Sequence, residues 1–222
     1  MSGIKLVVVD IAGTIIEDHG EVVNAFSTAL RKNGIAFLED DLKRWKGASK
    51  REVIRHFVGD LRPERDELVE QTYRSFRAEL EDAYGRELRP IAGAETTFAW
   101  CGDHRILMAT TTGFYAEISN LILERTGWRN RFAATISSND VKQGRPAPYM
   151  IFRAMEQAGI TNVREVMNVG DTPLDLQAGM NAGARAVVGV LTGAHTREEL
   201  EREPHTHIIG SVAELPDLIS RL

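Results

Sequence analysis

The sequence predicts an α/β protein in which helices cover both faces of a parallel sheet. Two observations favour this class. Short apolar runs recur along the chain, and stretches with helical periodicity separate most of them. The runs are continuously apolar rather than alternating, which is typical of strands that are buried on both faces of a sheet. A central parallel sheet between helical layers is therefore expected.

The apolar runs predict six strands, and most of the helical patterns fall between them. The strand candidates are residues 4–9, 105–109, 132–136, 165–169, 186–190 and 207–209. The helical candidates lie near residues 93–101, 114–126, 148–158, 173–182, 196–202 and 212–221. This alternation favours repeated strand–helix–strand crossovers, and thus a Rossmann-like core.

One long interval interrupts the alternation, because residues 18–88 contain no convincing strand. The interval fits four helices, near residues 21–33, 39–45, 49–58 and 63–84. Asn33-Gly34 supplies a helix end, and Pro63 suits a first helical turn. We therefore expect a helical domain over residues 17–88, inserted into an α/β domain built from residues 1–16 and 89–222.

Composition and charge limit the kinds of molecule that the protein is expected to bind. The chain has 222 residues, and its 27 basic and 32 acidic side chains give a net charge of −5. With no long basic run, neither nucleic acid nor an anionic membrane is an expected partner. The single cysteine, Cys101, excludes an internal disulfide, and no apolar run is long enough for a membrane span. We expect a cytoplasmic protein with a small-molecule substrate; a homodimer is left open.

Four polar stretches follow strand candidates and are the best candidates for chemistry. They are Asp10-Ile11-Ala12-Gly13-Thr14, Thr110-Thr111-Thr112-Gly113, residues 139–148 and Gly170-Asp171-Thr172-Pro173-Leu174-Asp175. Each has a purely structural explanation; Asp175, for example, suits the third position of a helix capped by Thr172. Their joint placement at successive strand ends favours one shared site, because ligands of open α/β sheets bind at that edge.

The chemistry of these side chains is mutually consistent. Asp10 and Asp171 offer the oxygen ligands that a hard divalent cation such as Mg²⁺ prefers, and a backbone carbonyl after Asp10 could add another. Threonine hydroxyls and the amides that follow them can donate to phosphate oxygens. Arg145 offsets the negative charge, so Asp10 itself can act as a nucleophile on phosphorus.

These motifs resemble those of the haloacid dehalogenase superfamily of aspartyl-phosphate enzymes, over the whole chain. Within it, the chain is most similar to the phosphonoacetaldehyde hydrolase family. Three features carry the narrower resemblance: the first motif is D-x-A-G-T from Asp10, the third is G-R-P-A-P with Arg145, and "GASK" spans Gly47 to Lys50. The resemblance implies a core like that of the haloacid dehalogenase (HAD) superfamily, with a helical type 1 cap between its first and second motifs.

The resemblance also implies roles for individual residues. The expected catalytic residues are Asp10, Lys50, Thr110 and Arg145. Substrate or phosphate is expected to contact Ala12, Gly13, Thr111, Thr112, Gly113 and Gly47. The expected Mg²⁺ ligands are Asp10, the Ala12 backbone carbonyl and Asp171, with Asp175 outside them.

Ala12 and Lys50 together indicate the reaction. In most phosphatases of the superfamily, the residue two places after the nucleophile is an acid that protonates the leaving alcohol. Ala12 cannot do so, whereas an imine on Lys50 would let a carbon group leave as an enamine. Ser49-Lys50-Arg51-Glu52 fits a capping box with Lys50 at the first helical position, where a positive helix end and nearby cations disfavour the ammonium form. Alternatively, Lys50 is a surface lysine, or stays charged and holds an anionic substrate.

The sequence departs from the family at two positions. The cap histidine three places after the lysine is Val53 here, and the tyrosine after the second motif's glycine is Phe114, followed by Tyr115. His19 and His56 are possible substitutes for the histidine. The predicted function is Mg²⁺-dependent cleavage of the C–P bond of a 2-oxoalkylphosphonate. The alternatives are a phosphate monoesterase or phosphomutase, a metal-free haloacid dehalogenase and a regulatory binding domain.

Overall fold

The computed structural model describes residues 3–45, 48–59, 64–193 and 195–222, and these residues form the predicted six-stranded parallel sheet. The strand order is β3-β2-β1-β4-β5-β6. The strands are β1 (Leu6–Val9), β2 (Leu107–Thr112), β3 (Ala134–Ser137), β4 (Val166–Gly170), β5 (Ala186–Val190) and β6 (His207–Ile209). Every pair is parallel, as expected for strands joined by crossovers.

Helices connect the strands. In the described ranges they are α1 (Glu21–Lys32), α2 (Glu39–Arg44), α3 (Lys50–Val58), α4 (Arg65–Arg86), α5 (Ala94–Asp103), α6 (Ala116–Arg125), α7 (Tyr149–Ala158), α8 (Pro173–Ala182), α9 (Arg197–Leu200) and α10 (Leu215–Ser220). The first four lie between β1 and β2, as predicted. Pro63, predicted to open α4, lies outside the described residues. None of these helices is both long and apolar enough to cross a bilayer.

Strand β1 is the central element of the sheet. All four of its residues are buried, and it pairs with β2 on one side and β4 on the other. Its continuously apolar sequence therefore reflects burial on both faces, and each such side chain contributes about 1.5–3 kcal/mol through removal from water. The strand ends directly before Asp10, which brings that carboxylate to the middle of the sheet's carboxyl edge.

Strand β2 lies further along the chain than the sequence predicts. It spans residues 107–112 rather than 105–109, so the three threonines of the second polar stretch belong to the strand itself. Arg105 has a φ of 57° and forms part of the preceding turn, which delays the start of the strand. Thr111 and Thr112 extend the strand because they pair with Ile136 and Ser137 of β3, and β-branched residues suit such pairing.

The helical insertion leaves and rejoins the sheet through two adjacent chain segments. Ile16 bridges Pro90, the Glu17 amide donates to the Arg89 carbonyl at 2.9 Å, and the Ile91 amide donates to the Ile15 carbonyl at 2.9 Å. We propose the predicted division into residues 17–88 against 1–16 and 89–222 on the basis of this paired crossing.

Aromatic packing stabilises the insertion internally. Phe26 of α1 stacks on Phe76 of α4 with ring centroids 4.2 Å apart, and both side chains are buried. These rings belong to the same continuous apolar cluster as Val7 and Val9 of β1. The insertion is therefore packed against the sheet rather than standing apart from it, and its helices can contribute walls to a site at the sheet's edge.

Candidate active site

Asp10 and Asp171 meet because the strands that precede them are neighbours. Val9 of β1 is in register with Val169 of β4, and the Asp10 amide donates to the Val169 carbonyl at 2.9 Å. Asp171 follows β4 directly. Both carboxylates are buried, at 5% and 3% exposure. The predicted convergence of these two acids at one edge of the sheet is thus present.

Arg145 joins the carboxylates into one charged cluster. It lies in the loop after β3 and reaches inward, where its Nη2 is 2.8 Å from Asp10 Oδ1 and its Nε is 2.9 Å from Asp175 Oδ1. Nη2 also donates to the carbonyl of Thr111 at 2.7 Å and to its hydroxyl at 3.0 Å. Such pairing is necessary, since a buried guanidinium without partners would lose several kcal/mol of solvation.

Asp175 serves both the helix end and the charged cluster. Its Oδ2 accepts from the Thr172 amide at 3.1 Å and from the Thr172 hydroxyl at 2.5 Å, completing the predicted capping box. Its Oδ1 is the atom that pairs with Arg145. With both oxygens already engaged by donors, Asp175 is placed to orient Arg145, whereas Asp10 and Asp171 are better placed to ligate a cation.

The acidic cluster fits a hard divalent cation. One oxygen from each of Asp10, Asp171 and Asp175 lies within 4.8 Å of the others, and all three residues are buried. The backbone leaves room for Asp171: a Cβ at Gly13 would lie 2.6 Å from its Oδ2, and one at Gly193 would overlap the same atom. Thr14 donates to Asp171 Oδ1 at 3.2 Å. Convergent carboxylate oxygens in a tight pocket are the donor set that Mg²⁺ prefers.

The environment of Asp10 disfavours its charge. Burial raises the pKa of Asp10 from 3.8 to about 6; Arg145 opposes this rise, and the nearby carboxylate of Asp175 adds to it. A buried carboxylate in this position is stabilised as an anion by any further positive charge. The site is therefore electrostatically suited to bind a cation next to Asp10.

A small cavity opens onto the cluster. Its volume is about 30 Å³. The residues that line it are Asp10, Ala12, Asp18, Val22, Lys50, Thr112, Gly113, Phe114, Arg145, Asp171 and Thr172. Three of these, Asp18, Val22 and Lys50, come from the helical insertion. The cavity thus lies between the carboxyl edge of the sheet and the insertion.

Lys50 is buried in this cavity, at 5% exposure. It is the first residue of α3, its Nζ donates to the Ala48 carbonyl at 3.3 Å, and the same atom lies 5.3 Å from the centre of the Phe114 ring. The surface-lysine alternative is therefore wrong. The predicted capping box is also wrong, because the Ser49 side chain makes no capping hydrogen bond.

Comparison with known proteins gives the family. Residues 7–189 match the family model described as haloacid dehalogenase-like hydrolase. The chain belongs to the haloacid dehalogenase-like hydrolases. This match covers most of the chain and includes all the acids of the cluster.

Relatives of this haloacid dehalogenase-like hydrolase include curated phosphonoacetaldehyde hydrolases. One from Lactiplantibacillus plantarum is 30% identical over 99% of this chain and 96% of the relative. One from Parabacteroides distasonis is 33% identical over 61% of this chain, a match that spans about half (51%) of the relative. Among solved structures, a phosphonoacetaldehyde hydrolase-like protein from Oleispira antarctica has a TM-score of 0.84 at 21% identity, covering 99% of this chain and 92% of that one. The resemblance predicted from the motifs is confirmed.

The remaining predicted site residues of this hydrolase fall in different places. Thr112 and Gly113 line the cavity, and the Thr112 hydroxyl accepts from the Phe114 amide at 3.1 Å. Thr111 contacts Arg145 instead. Thr110 is buried within β2 and is not among the cavity-lining residues. Gly47 lies outside the described residues.

Two pairs of residues at the site were not predicted from the sequence. Asp18 and Val22 line the cavity from the start of the insertion, where only local turn and helix signals mark them. Thr192 and Gly193 follow β5 at the same edge of the sheet; the Thr192 hydroxyl donates to the Gly13 carbonyl at 2.6 Å. Ligands of open α/β sheets bind beyond the carboxyl ends of the strands, and β5 ends beside β4. That rule could have identified Thr192 and Gly193.

The proposed substitutes for the missing histidine lie elsewhere. His19 is exposed and pairs with Glu17 at 2.7 Å. His56 packs against Trp45 with ring centroids 4.7 Å apart. Tyr115, which follows the position of the family's tyrosine, donates to Glu81 Oε1 at 3.0 Å. Neither histidine is among the residues that line the cavity, and Tyr115 is not among them either.

Proposed function

We propose that this protein is a Mg²⁺-dependent hydrolase that forms an aspartyl-phosphate on Asp10 and cleaves the C–P bond of a 2-oxoalkylphosphonate through an imine on Lys50. The observation that carries the proposal is that Lys50 is buried in the same small cavity as Asp10. A buried lysine that shares a cavity with a carboxylate is uncommon in a purely structural role, and it suits reaction with a carbonyl group on the substrate.

The phosphoryl half of the reaction rests on Asp10 and Arg145. An Asp10 oxygen attacks phosphorus, and the ion pair with Arg145 holds the carboxylate in place. The Nη1 of Arg145 is buried and has no hydrogen-bond partner among the described residues, so it is a donor for a phosphoryl oxygen. Mg²⁺ held by Asp10 and Asp171 would supply positive charge that lowers repulsion between the carboxylate and the phosphonate.

The carbon half of the reaction rests on Lys50 and on the absence of an acid at Ala12. The Lys50 amine condenses with the carbonyl next to the C–P bond. When the bond breaks, its electron pair moves into the iminium, and the carbon group leaves as an enamine. A proton adds to the enamine carbon and regenerates an iminium, and water then hydrolyses both this iminium and the aspartyl-phosphate. Because carbon leaves in this way, no acid is needed two residues after Asp10.

The position of the cavity bears on how a substrate enters. Its walls come from both the carboxyl edge of the sheet and the helical insertion. We infer that the insertion moves away from the sheet when a small substrate enters, and that it closes over the substrate for reaction. Closure of this kind excludes water from the imine.

The decisive experiment compares inorganic phosphate release from phosphonoacetaldehyde and from a panel of phosphate esters, with and without Mg²⁺. Borohydride is added in parallel, and the adduct is located by mass spectrometry. We expect phosphate release from the phosphonate and a reduced adduct on Lys50 only when substrate is present. Lys32→Arg is the matched control for a Lys50→Arg variant, since Lys32 is exposed and pairs with Glu79.

Two other outcomes would replace the proposal. Release from phosphate esters alone, with no adduct, would indicate a phosphate monoesterase or phosphomutase in which Lys50 holds an anionic group. Turnover of haloacids without metal would indicate a dehalogenase. Both share the Asp10 nucleophile, so the adduct on Lys50 separates the proposal from them.

A further inference from the structure

Three carboxylates line the cavity in the part of the chain that the structure describes, and one of them has no role so far. Asp10 is the proposed nucleophile, and Asp171 is a proposed cation ligand. Asp18 is the third. It belongs to the helical insertion, as Lys50 does, and both residues line the same cavity.

A turn at the start of the insertion holds the Asp18 side chain. Its Oδ1 accepts from the Gly20 amide at 3.1 Å, and Gly20 has a φ of 105°, a conformation that favours glycine. The next residue, His19, is exposed and pairs with Glu17, away from the cavity. Asp18 thus lines the cavity, whereas the adjacent His19 and Glu17 pair with each other outside it.

Imine chemistry at Lys50 requires a group that accepts and returns protons. The positions from which the family would supply one are apolar here: Val53 is fully buried in α3, and Phe114 lines the cavity with a hydrocarbon ring. His56 and Tyr115 make their contacts elsewhere. The imine steps therefore need another proton acceptor in the cavity, since an ammonium group cannot attack a carbonyl.

We propose that Asp18 is the acid–base residue of the imine steps at Lys50, an inference that rests on the proposed function. The Asp18 carboxylate takes a proton from the Lys50 ammonium, and the amine nitrogen then forms a bond to the carbonyl carbon. Transfer of a proton from nitrogen to oxygen gives a neutral carbinolamine. Protonated Asp18 next donates to the hydroxyl; the C–O bond breaks, water leaves, and the nitrogen lone pair forms the iminium. Asp18 is again a carboxylate, and charge is conserved.

Tyr84 supports this assignment from behind the cavity wall. Its ring packs edge-on against Phe114 with centroids 5.9 Å apart, and its buried hydroxyl has no hydrogen-bond partner among the described residues. Burial raises the pKa of this phenol well above its ordinary value, and the carboxylate of Asp18 adds to the effect. The hydroxyl therefore stays protonated, so it cannot replace Asp18 as the proton acceptor.

The test measures imine formation in wild type and in Asp18→Asn. Protein is mixed with phosphonoacetaldehyde, quenched with borohydride after a series of times, and scored for the Lys50 adduct by mass spectrometry. We expect adduct formation and phosphate release to fall about 100-fold or more in Asp18→Asn, the usual contribution of general acid–base catalysis. The melting temperature should stay close to that of wild type, because an asparagine oxygen can still accept from the Gly20 amide. Asp18→Glu should recover part of the rate.

Glu17→Gln is the matched control, since Glu17 is adjacent, acidic and paired with His19 outside the cavity; its rate should equal that of wild type. If wild type forms the adduct and Asp18→Asn forms it equally fast, the role of Asp18 is overturned while the imine mechanism stands. If wild type forms no adduct, the proposed function fails and this inference fails with it.

Discussion

Arg145 and Asp10 form a buried ion pair, with Nη2 2.8 Å from Oδ1 and side-chain exposures of 3% and 7%. The two residues come from different loops, one after β1 and one after β3. Because the same guanidinium also pairs with Asp175 after β4, a single side chain connects three strand ends at the carboxyl edge of the sheet. The proposed nucleophile is thus positioned by the same interactions that stabilise this edge.

Arg145→Ala should lower both stability and turnover. Removal of one partner from a buried pair leaves uncompensated charge, which typically costs about 3–5 kcal/mol. Urea unfolding should show a loss of this size in metal-free protein, and phosphate release should be undetectable. Arg153→Ala is the control, because Arg153 is exposed and, within the described ranges, pairs with Glu156 of the same helix. A loss below about 1 kcal/mol would mean that the pair contributes little to the fold.

Asp10→Asn should separate catalysis from stability. Turnover should fall at least about 100-fold, because Asp10 is the proposed nucleophile that forms the phosphorylated intermediate and an amide is a far weaker nucleophile. The folded-state pKa of about 6 lies above the ordinary 3.8, so folding favours the protonated form. The contribution of Asp10 is most favourable below pH 3.8 and is lost as the pH rises through about 6.

Metal-free wild type should therefore lose about 1–3 kcal/mol relative to Asp10→Asn between pH 4 and pH 7. Urea unfolding at several pH values checks this, with Asp82→Asn as the exposed control. Parallel curves for wild type and Asp10→Asn would show that the burial of Asp10 has no energetic consequence.

Mg²⁺ should stabilise wild type and be required for phosphate release. A ligand at 100 times its dissociation constant adds about 2.7 kcal/mol to the free energy of unfolding, so the melting temperature should rise with Mg²⁺. Asp171→Ala should abolish this rise, and EDTA should remove activity. Full turnover in EDTA would favour the metal-free dehalogenase alternative.

Gly193→Ala should disturb Asp171 without adding or removing charge. A Cβ at this position would overlap the Asp171 carboxylate, so the side chain or the loop after β5 must shift. We expect weaker stabilisation by Mg²⁺ and a higher Mg²⁺ requirement for activity. Gly85→Ala is the control, because nothing lies within 4 Å of its added Cβ; it sits in α4, where alanine is favoured by roughly 0.5–1 kcal/mol. Equal Mg²⁺ titrations for both variants would contradict the crowding argument.

The sequence predicts the parts of this site that depend on local patterns. Uniformly apolar runs predict the strands. Because the carboxyl ends of parallel strands meet at one edge of a sheet, Asp10 and Asp171 are predicted at the same edge without knowledge of the strand order. The end of β2 was misjudged because Thr110 to Thr112 look like a polar loop, whereas their β-branched side chains extend the strand. Pairing with β3 decides this, and pairing is a tertiary property.

The other omissions arise from contacts that are distant along the chain. Gly193 matters only because Asp171 approaches it, and no local pattern marks that approach. Asp18 resembles an ordinary turn residue until the insertion folds back over the sheet and brings it to the same cavity as Lys50. A cavity that is lined by two distant segments of a chain cannot be predicted from the sequence pattern of either segment alone.

Substitution of Lys50 tests the imine directly. Lys50→Arg retains a positive charge but cannot form an imine. Lys50→Met has a side chain of similar length, but it carries no charge and cannot form an imine. If Lys50 forms the imine, both variants should lose phosphate release from phosphonoacetaldehyde by at least about 100-fold in kcat. Asp10 would remain intact in both, so Mg²⁺ should stabilise them as it stabilises wild type.

If Lys50 only holds an anionic group, the two variants should differ. Lys50→Arg would then keep most of the wild-type kcat and show a raised KM, the signature of weaker ground-state binding, while Lys50→Met would lose both. Because Lys50 is buried, a larger guanidinium could also fail by crowding alone; the borohydride adduct on Lys50 of wild type separates that case, since it forms only when Lys50 condenses with the substrate. An active Lys50→Arg variant that forms no borohydride adduct would assign the Asp10 machinery to phosphate esters and end the case for C–P cleavage.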